Sequence, residues 1–252
     1  MSGHSKWATI KRKKAKVDAE RSKIFTKLIR ELVVSAREGG GDPETNPRLR
    51  TAVSAARDAN MPAANIDKAI KRGTGELPGV TYDECTFEGY GPGGVALLVE
   101  SLTDNRNRTT AEVRHLFNKY GGHLGEPGSV AYMFESRGVI LIDRSQAAED
   151  RVLEVALENG AEDVRSEGGQ FEVVVRPDDF ETIRGAFSAA GITPQLAEMT
   201  KYPKTTVPLD RDKAETVMRL VSALEDNDDV QQVSANFDIS DDILREIEDS
   251  IE

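Results

Sequence analysis

The first sixteen residues concentrate side chains that could do chemistry on a polyanion. Residues 2–16 contain six cations and no acid, and Trp7, the chain's single tryptophan, lies among them. Lysine and arginine neutralise phosphates, and an aromatic ring can stack on a base. The sequence therefore predicts a nucleic-acid contact made by Lys6, Trp7, Lys11, Arg12, Lys13, Lys14 and Lys16. The alternative is a solvated tail with Trp7 folded back on the first helix.

A second group of cations lies in the three helices that the sequence predicts next. Apolar residues at helical spacing predict a first helix over residues 18–38, with a cationic stripe beside its apolar face. The predicted phosphate contacts in this region are Lys23, Lys27, Arg30, Arg37, Arg48, Arg50, Lys71 and Arg72. A solvated basic face that binds nothing is the competing interpretation. The third helix offers few side chains that read base edges, which favours contacts to the phosphate backbone.

A third candidate site is the loop around Arg106 and Arg108. Thr109 and Glu112 form a capping-box pattern, which predicts a helix that begins at Thr109. The two arginines would then precede a helix N-terminus, where free N–H groups favour an anion. Pairing of these arginines with acids such as Asp104 and Glu126 is the alternative, and the sequence does not decide between them.

Other patterns do not indicate a reaction centre. The glycines of residues 89–94 satisfy G-x-G-x-x-G, but a strand follows them rather than the helix of a dinucleotide site, so a tight turn is expected. Cys85 is the only cysteine, and His4, His115 and His123 lack metal-ligand spacing. No Ser/His/Asp or Cys/His set stands out. We therefore expect no enzyme activity, no metal and no cofactor.

Charge is distributed very unevenly along the chain. The net charge is −11, yet residues 1–75 hold 17 basic and 8 acidic residues, a net of +9, which leaves −20 for the remainder. Such separation is typical of a protein with a nucleic-acid-binding end. No apolar run approaches the ~20 residues of a membrane span. A lone cysteine and no apolar leader segment favour a cytoplasmic protein.

Element order predicts an α+β fold with three domains. Residues 1–78 form a basic domain of three helices around one apolar core. Residues 137–200 read β-α-β-β-α-β, a ferredoxin-like unit. The β-α-β pieces on either side would complete a second unit of the same kind. The prediction is therefore a discontinuous α/β domain of residues 79–136 and 201–240, with the 137–200 domain inserted in it and an acidic tail over 241–252.

Several long motifs of this sequence resemble the YebC family. They are GHSKW (residues 3–7), KIFTKLIREL (23–32), REGGGDPETNPRLR (37–50), NMP (60–62), GYGPGGVALLVE (89–100) and TDNRNRT (103–109). The family includes a mitochondrial relative, the translational activator of cytochrome c oxidase. Thr9, Ser22 and the Glu126–Pro127 pair depart from its usual pattern, which puts any role of the last loop in doubt.

The resemblance implies a helical domain, two α/β domains and a cytoplasmic, DNA-binding transcriptional regulator. It also implies an alternative, a ribosome-associated translation factor that contacts rRNA and relieves stalling on proline-rich sequences. The basic N-terminal positions and the Arg106/Arg108 loop become the expected nucleic-acid contacts. DNA and rRNA would bind to the same phosphate-contacting surface of the protein, so the sequence does not decide between these two targets.

Overall fold

The N-terminal part of the described chain is a bundle of three helices. In this computed structural model, which describes residues 17–167, 169–240, 242–244 and 246–247, the helices are α1 (Val17–Gly39), α2 (Pro47–Asp58) and α3 (Ala63–Gly73). Their inner faces carry the predicted apolar residues at helical spacing. The buried residues of this core are Leu32, Val33, Ala36, Leu49, Ala52, Val53, Ala56, Met61, Ile66 and Ala69.

Asn46 joins the first two helices. It is the N-cap of α2 with Pro47 in the first turn, and its side chain accepts a hydrogen bond from Leu49 N. The same amide donates to Ser35 O at 2.8 Å and to Gly40 O at 2.9 Å. The left-handed residue after α1 is Gly40, with φ of 86°.

The first α/β domain has an antiparallel sheet of four strands. They are β1 (Asp83–Tyr90), β2 (Ala96–Thr103), β3 (His123–Leu124) and β9 (Val230–Ala235), in the order β3-β1-β2-β9. Helices α4 (Arg106–Lys119) and α7 (Arg211–Glu225) pack on one face, where their apolar side chains meet those of the sheet. Strand β9 pairs with β2, so the chain returns to this sheet after a long excursion.

Two details of this domain differ from the sequence prediction. Strand β1 was not predicted, because its sequence DECTFEGY carries three acids and only part of it is buried. The apolar sequence SVAYMF of residues 129–134 favours a strand, but it contains a 3₁₀ turn, Ala131–Met133. The Glu88 carboxylate accepts hydrogen bonds from the N–H groups of Gly128, Val130 and Ala131 at 2.6–2.7 Å. Those donors are therefore not available to a strand ladder.

The second α/β domain follows the predicted β-α-β-β-α-β order. Its elements are β4 (Phe134–Asp143), α5 (Glu149–Glu158), β5 (Asp163–Glu167), β6 (Gln170–Val175), α6 (Phe180–Ala189) and β7 (Leu196–Pro203). The sheet is antiparallel in the order β5-β6-β4-β7, the ferredoxin-like arrangement. The predicted fold class, a three-helix domain followed by α/β domains, is confirmed. The first α/β domain, however, has the element order β-β-α-β-α-β.

Two short strands form a separate small sheet. β8 (Val207–Pro208) and β10 (Phe237–Asp238) form a parallel pair beside the first α/β domain. In the part of the chain that is described, no helix is both long and apolar enough to cross a bilayer.

Candidate nucleic-acid interface

The cationic stripe of α1 faces an acidic turn of the first α/β domain. This acidic turn, Glu225–Asp229, joins α7 to β9 and has the sequence EDNDD. Lys23 Nζ lies 3.0 Å from Asp226 Oδ1, and Lys27 Nζ donates to Glu225 O at 2.8 Å. Arg30 Nη1 lies 2.5 Å from Asp229 Oδ1. Spacings of four and three residues place all three cations on one helix face, so the stripe and the turn meet along its length.

Asp229 is the centre of this contact. Besides Arg30, its carboxylate accepts from Arg108 Nη2 at 2.7 Å, Thr109 Oγ1 at 2.6 Å and Thr103 Oγ1 at 3.1 Å. Only 4% of its side chain is exposed. Burial alone would raise the pKa of Asp229, but the hydrogen bonds from Arg108, Thr109 and Arg30 outweigh it and lower the pKa to about 2. The carboxylate is therefore charged at neutral pH and joins α1 to α4.

Helix α4 begins three residues earlier than the capping-box pattern predicted. Its N-cap is Asn105, whose side chain accepts from Arg108 N at 3.1 Å. Arg106 and Arg108 consequently lie in the first turn of the helix rather than before it. Thr109 is buried in that turn and bonds to Asp229, so it cannot act as the cap. Asn is favoured more strongly than Thr at the N-cap position, which agrees with the observed start of the helix.

Arg30 and Arg37 of α1 both contact Tyr82, the residue before β1. Arg30 donates to Leu102 O at 2.8 Å and lies over the Tyr82 ring at 5.2 Å, and Arg37 donates to Tyr82 O at 2.8 Å. Only 12% of the Arg30 side chain is exposed. The structure therefore places the Arg30 guanidinium inside the protein, where a phosphate does not reach it in this arrangement of the domains.

Arg48 and Arg50 are likewise engaged within the protein. Arg48 forms ion pairs with Glu31, Glu38 and Glu84 at 2.6–2.7 Å, and the hydrogen bond to Glu31 is the main cause of its raised pKa. Arg50 donates to the carbonyl oxygens of Pro43 and Glu44 at 3.0 and 2.9 Å. Arg108 pairs with Asp104 as well as with Asp229. Of the two acids that the sequence offered as partners for these arginines, Asp104 is therefore the one that Arg108 contacts.

A smaller group of cations remains open to a ligand. Arg72 and Arg106 are exposed and have no carboxylate within 4.0 Å among the described residues, and Lys71 is 4.0 Å from Asp67. Arg57, Lys68 and Arg114 are likewise exposed and have no carboxylate within 4.0 Å among the described residues, although they are not among the predicted contacts. Their signal in the sequence was an outward helical position with no acid three or four residues away in either direction.

The predicted contacts of the basic start lie outside the described residues. They are Lys6, Trp7, Lys11, Arg12, Lys13, Lys14 and Lys16. Their contribution to nucleic-acid binding stays a prediction, as does that of the cations described above.

The glycine-rich segment forms the hairpin turn between β1 and β2. Gly93 and Gly94 adopt φ of 77° and 78°, and Gly91 N donates to Val95 O at 2.8 Å. Strands precede and follow the segment, so it is a turn, as expected, and it lacks the helix that follows the phosphate loop of a dinucleotide site.

A cavity of about 580 Å³ lies where the three domains approach one another. Its lining includes Glu31, Arg48, Glu84, Glu100 and Glu198, and burial raises the pKa of Glu100. Cys85 also borders it, and burial raises the pKa of that thiol, which makes it a poor nucleophile. Among the described residues, no group of three or more His, Cys, Asp or Glu side chains could hold a metal ion.

A helical domain that forms ion pairs with the first of two α/β domains defines a three-domain protein of mixed α/β class. Family models match almost the whole chain. The model of the TACO1/YebC protein N-terminal domain matches residues 5–76, and that of the TACO1/YebC second and third domain matches residues 82–237. The chain belongs to the TACO1/YebC family.

Similar proteins cover this chain from end to end. A protein of Desulfatibacillum aliphaticivorans is 55% identical over 98% of this chain and 100% of its own length, and one of Magnetococcus marinus is 56% identical over 97% and 98%. Both bear the name probable transcriptional regulatory protein. The crystal structure of a conserved hypothetical protein from Aquifex aeolicus is 48% identical, with a TM-score of 0.81 over 90% of this chain and 94% of that one.

Proposed function

We propose that this protein is a cytoplasmic, nucleic-acid-binding regulator of gene expression that acts as a DNA-binding transcriptional regulator. The observation that carries the proposal is the charge separation: a net +9 in residues 1–75 precedes a net −20 in the rest. A polyanion is attracted to the local field of the first domain rather than to the net charge of the chain. The name that the similar proteins bear supports a regulatory role.

The phosphate contacts divide into two groups in this proposal. The cations that contact the backbone are those of the basic start, together with half-buried Lys27 and exposed Lys23, Lys71, Arg72 and Arg106. The buried or internally bonded arginines keep the domains in place; these are Arg30, Arg37, Arg48, Arg50 and Arg108. Exposure alone does not separate the groups, since Lys23 is 44% and Arg108 43% exposed, but Arg108 pairs with two acids, Asp104 and Asp229, and Lys23 with one.

Binding to structured RNA is the second candidate. The outward residues of α3 include Asp67, Lys68 and Lys71, and this helix presents no row of Arg, Asn and Gln side chains for base edges. Such a surface favours backbone and shape recognition, which is how double-stranded RNA is bound. In this candidate the protein is a translation factor on the ribosome, where it contacts rRNA and relieves stalling on proline-rich sequences.

The test replaces four cations of the basic start by glutamine. Lys11→Gln, Arg12→Gln, Lys13→Gln and Lys14→Gln are combined in the full-length protein. We expect affinity for a mixed-sequence DNA duplex to fall at least tenfold at low salt. The slope of log affinity against log salt should flatten by about 0.9 for each phosphate that the variant no longer neutralises. Fluorescence anisotropy across a salt series measures both quantities.

The matched control removes the same charge from the second α/β domain. Arg144, Arg151, Arg176 and Arg184 are replaced by glutamine, which changes net charge equally in an acidic part of the chain. Equal affinity of the two variants would overturn the assignment of the basic start. Parallel titrations with purified ribosomes distinguish the candidates: preference for ribosomes over duplex at physiological salt selects the translation role.

A further inference from the structure

We propose that the outward face of α4 is a second phosphate-contacting surface, separate from the first domain, and this inference rests on the proposed function. Helix α4 has four cations and one acid, a net of +3, within a part of the chain whose net charge is −20. Solubility does not explain this local reversal in the sign of the charge, because the acidic remainder of the chain already carries a large net charge.

Only part of this helix is occupied by packing. Thr109, Val113 and Phe117 are buried against the sheet and α7. The exposed residues of the helix are Arg106, Asn107, Arg108, Ala111, Glu112, Arg114, His115, Asn118 and Lys119. The helix therefore buries one stripe and leaves a broad polar face to solvent.

The charged groups on this face are arranged to leave cations available. Its single acid, Glu112, accepts a hydrogen bond from Asn227 Nδ2 at 2.7 Å at the border with the acidic turn. Arg106 and Arg114 have no carboxylate within 4.0 Å in the described chain. Lys119 Nζ lies over the neighbouring Tyr120 ring, at 5.2 Å from its centroid. By contrast, Arg108 is used internally by Asp104 and Asp229.

Neutral donors lie between these cations. The side chains of Asn107, His115 and Asn118 have no hydrogen-bond partner among the described residues. Amide and imidazole groups commonly donate to phosphate and sugar oxygens beside Arg and Lys. Arg106 and Arg114 are eight residues apart, about 12 Å along the helix axis, so each would contact a different phosphate.

A nucleic-acid backbone fits this face better than a membrane or an apolar protein surface. The large exposed hydrophobic residues of the described chain are Ile24, Leu77, Val80, Tyr132 and Leu157, and none of them is on α4. Membrane-surface helices and protein hot spots both require such residues. Cations mixed with neutral donors and without an apolar anchor are typical of phosphate recognition.

The α4 surface is distinct from the α1 stripe. The acidic turn lies between them, because it pairs with Lys23 on one side and with Glu112 through Asn227 on the other. Two phosphate contacts on either side of a repulsive turn would fix how a duplex lies across the domains, which a single contact cannot do.

The test is a triple variant of the full-length protein, Arg106→Gln, Arg114→Gln and Lys119→Gln. We expect about tenfold weaker binding to the mixed-sequence duplex and a salt slope flatter by about 2 to 3, because each contact contributes about 0.9. The control is Arg151→Gln, Arg176→Gln and Arg184→Gln, with the same decrease in charge on the second α/β domain. All six positions are on the surface, and circular dichroism with a thermal melt checks the fold.

The outcomes separate the two proposals. If the wild-type protein shows no salt-dependent binding to duplex or ribosomes, the proposed function fails. If the basic-start variant loses affinity while the α4 variant equals its control in affinity and slope, the proposed function stands and this inference is overturned. An Arg106→Lys, Arg114→Lys variant keeps the charge and should retain most of the affinity.

Discussion

At the scale of single residues, Asp229 joins the helical domain to the first α/β domain. Its buried carboxylate has two arginine partners from two domains and two threonine hydroxyls. A buried charge is tolerated only when such partners compensate the loss of hydration. Removal of the charge would leave Arg30, itself 12% exposed, without its counter-ion.

Asp229→Asn should destabilise the protein strongly. The amide has almost the same shape but leaves the buried Arg30 without its counter-ion and Arg108 with Asp104 alone, so we expect the free energy of unfolding to fall by about 3–5 kcal/mol. Urea denaturation measures this, with Asp228→Asn as the control, since Asp228 lies in the same turn and is exposed. An effect no larger than that of the control would contradict the role given to Asp229.

The lowered pKa of Asp229 also predicts that the free energy of unfolding falls at acid pH. Its ordinary value is 3.8 and its folded value about 2, so the folded state binds the proton less readily than the unfolded state. The stabilisation is complete above the ordinary value and is lost as the pH falls from about 4 towards 2. Unfolding curves over this range should be less pH-dependent in Asp229→Asn than in the wild-type protein.

The sequence indicated these cations but not their partners. Helical spacing correctly placed Lys23, Lys27 and Arg30 on one face, because that depends on local geometry alone. The acids that they contact are about 200 residues later in the chain, and no local pattern links the two segments. A basic stripe was therefore predicted as a ligand site when part of it is a contact between domains.

At the scale of elements, Asn46 joins α1 to α2 by hydrogen bonds. It caps α2 and also satisfies two carbonyl groups at the end of α1, and it is 4% exposed. Asn46→Ala should therefore cost about 2–3 kcal/mol, more than a simple cap, because buried carbonyls lose their donor. Thr51→Ala is the control, since its hydroxyl bonds only to Pro47 O within the same helix. Equal thermal midpoints for the two variants would refute this.

Elements were predictable where the side chains repeat with a clear period. The three N-terminal helices and the β-α-β-β-α-β domain follow from apolar spacing, glycines and caps. Strand β1 was not predicted because its acids obscure the alternation of apolar and polar residues. The turn within residues 129–134 was not predicted because Glu88, which is distant in sequence, accepts hydrogen bonds from N–H groups of this segment. Contacts of long sequence separation decide such cases, and a local pattern does not record them.

At the scale of the whole molecule, the acidic turn competes with any polyanion for the basic stripe. Asp226 holds Lys23 at 3.0 Å, and both side chains are substantially exposed, at 62% and 44%. Such a pair is worth at most ~1 kcal/mol, so phosphate can displace the carboxylate. Under the proposed function, the negative body would therefore weaken nucleic-acid binding both by its long-range field and by direct pairing at this turn.

Asp226→Asn should consequently strengthen nucleic-acid binding. Release of Lys23 should raise affinity for the duplex about two- to fivefold, the equivalent of a surface ion pair, with little change in the free energy of unfolding. Asp228→Asn removes the same charge from the same turn but has no cation within 4.0 Å in the described chain. Equal gains in the two variants would show that net charge alone acts. A gain confined to Asp226→Asn shows that the turn holds a cation that nucleic acid would otherwise bind.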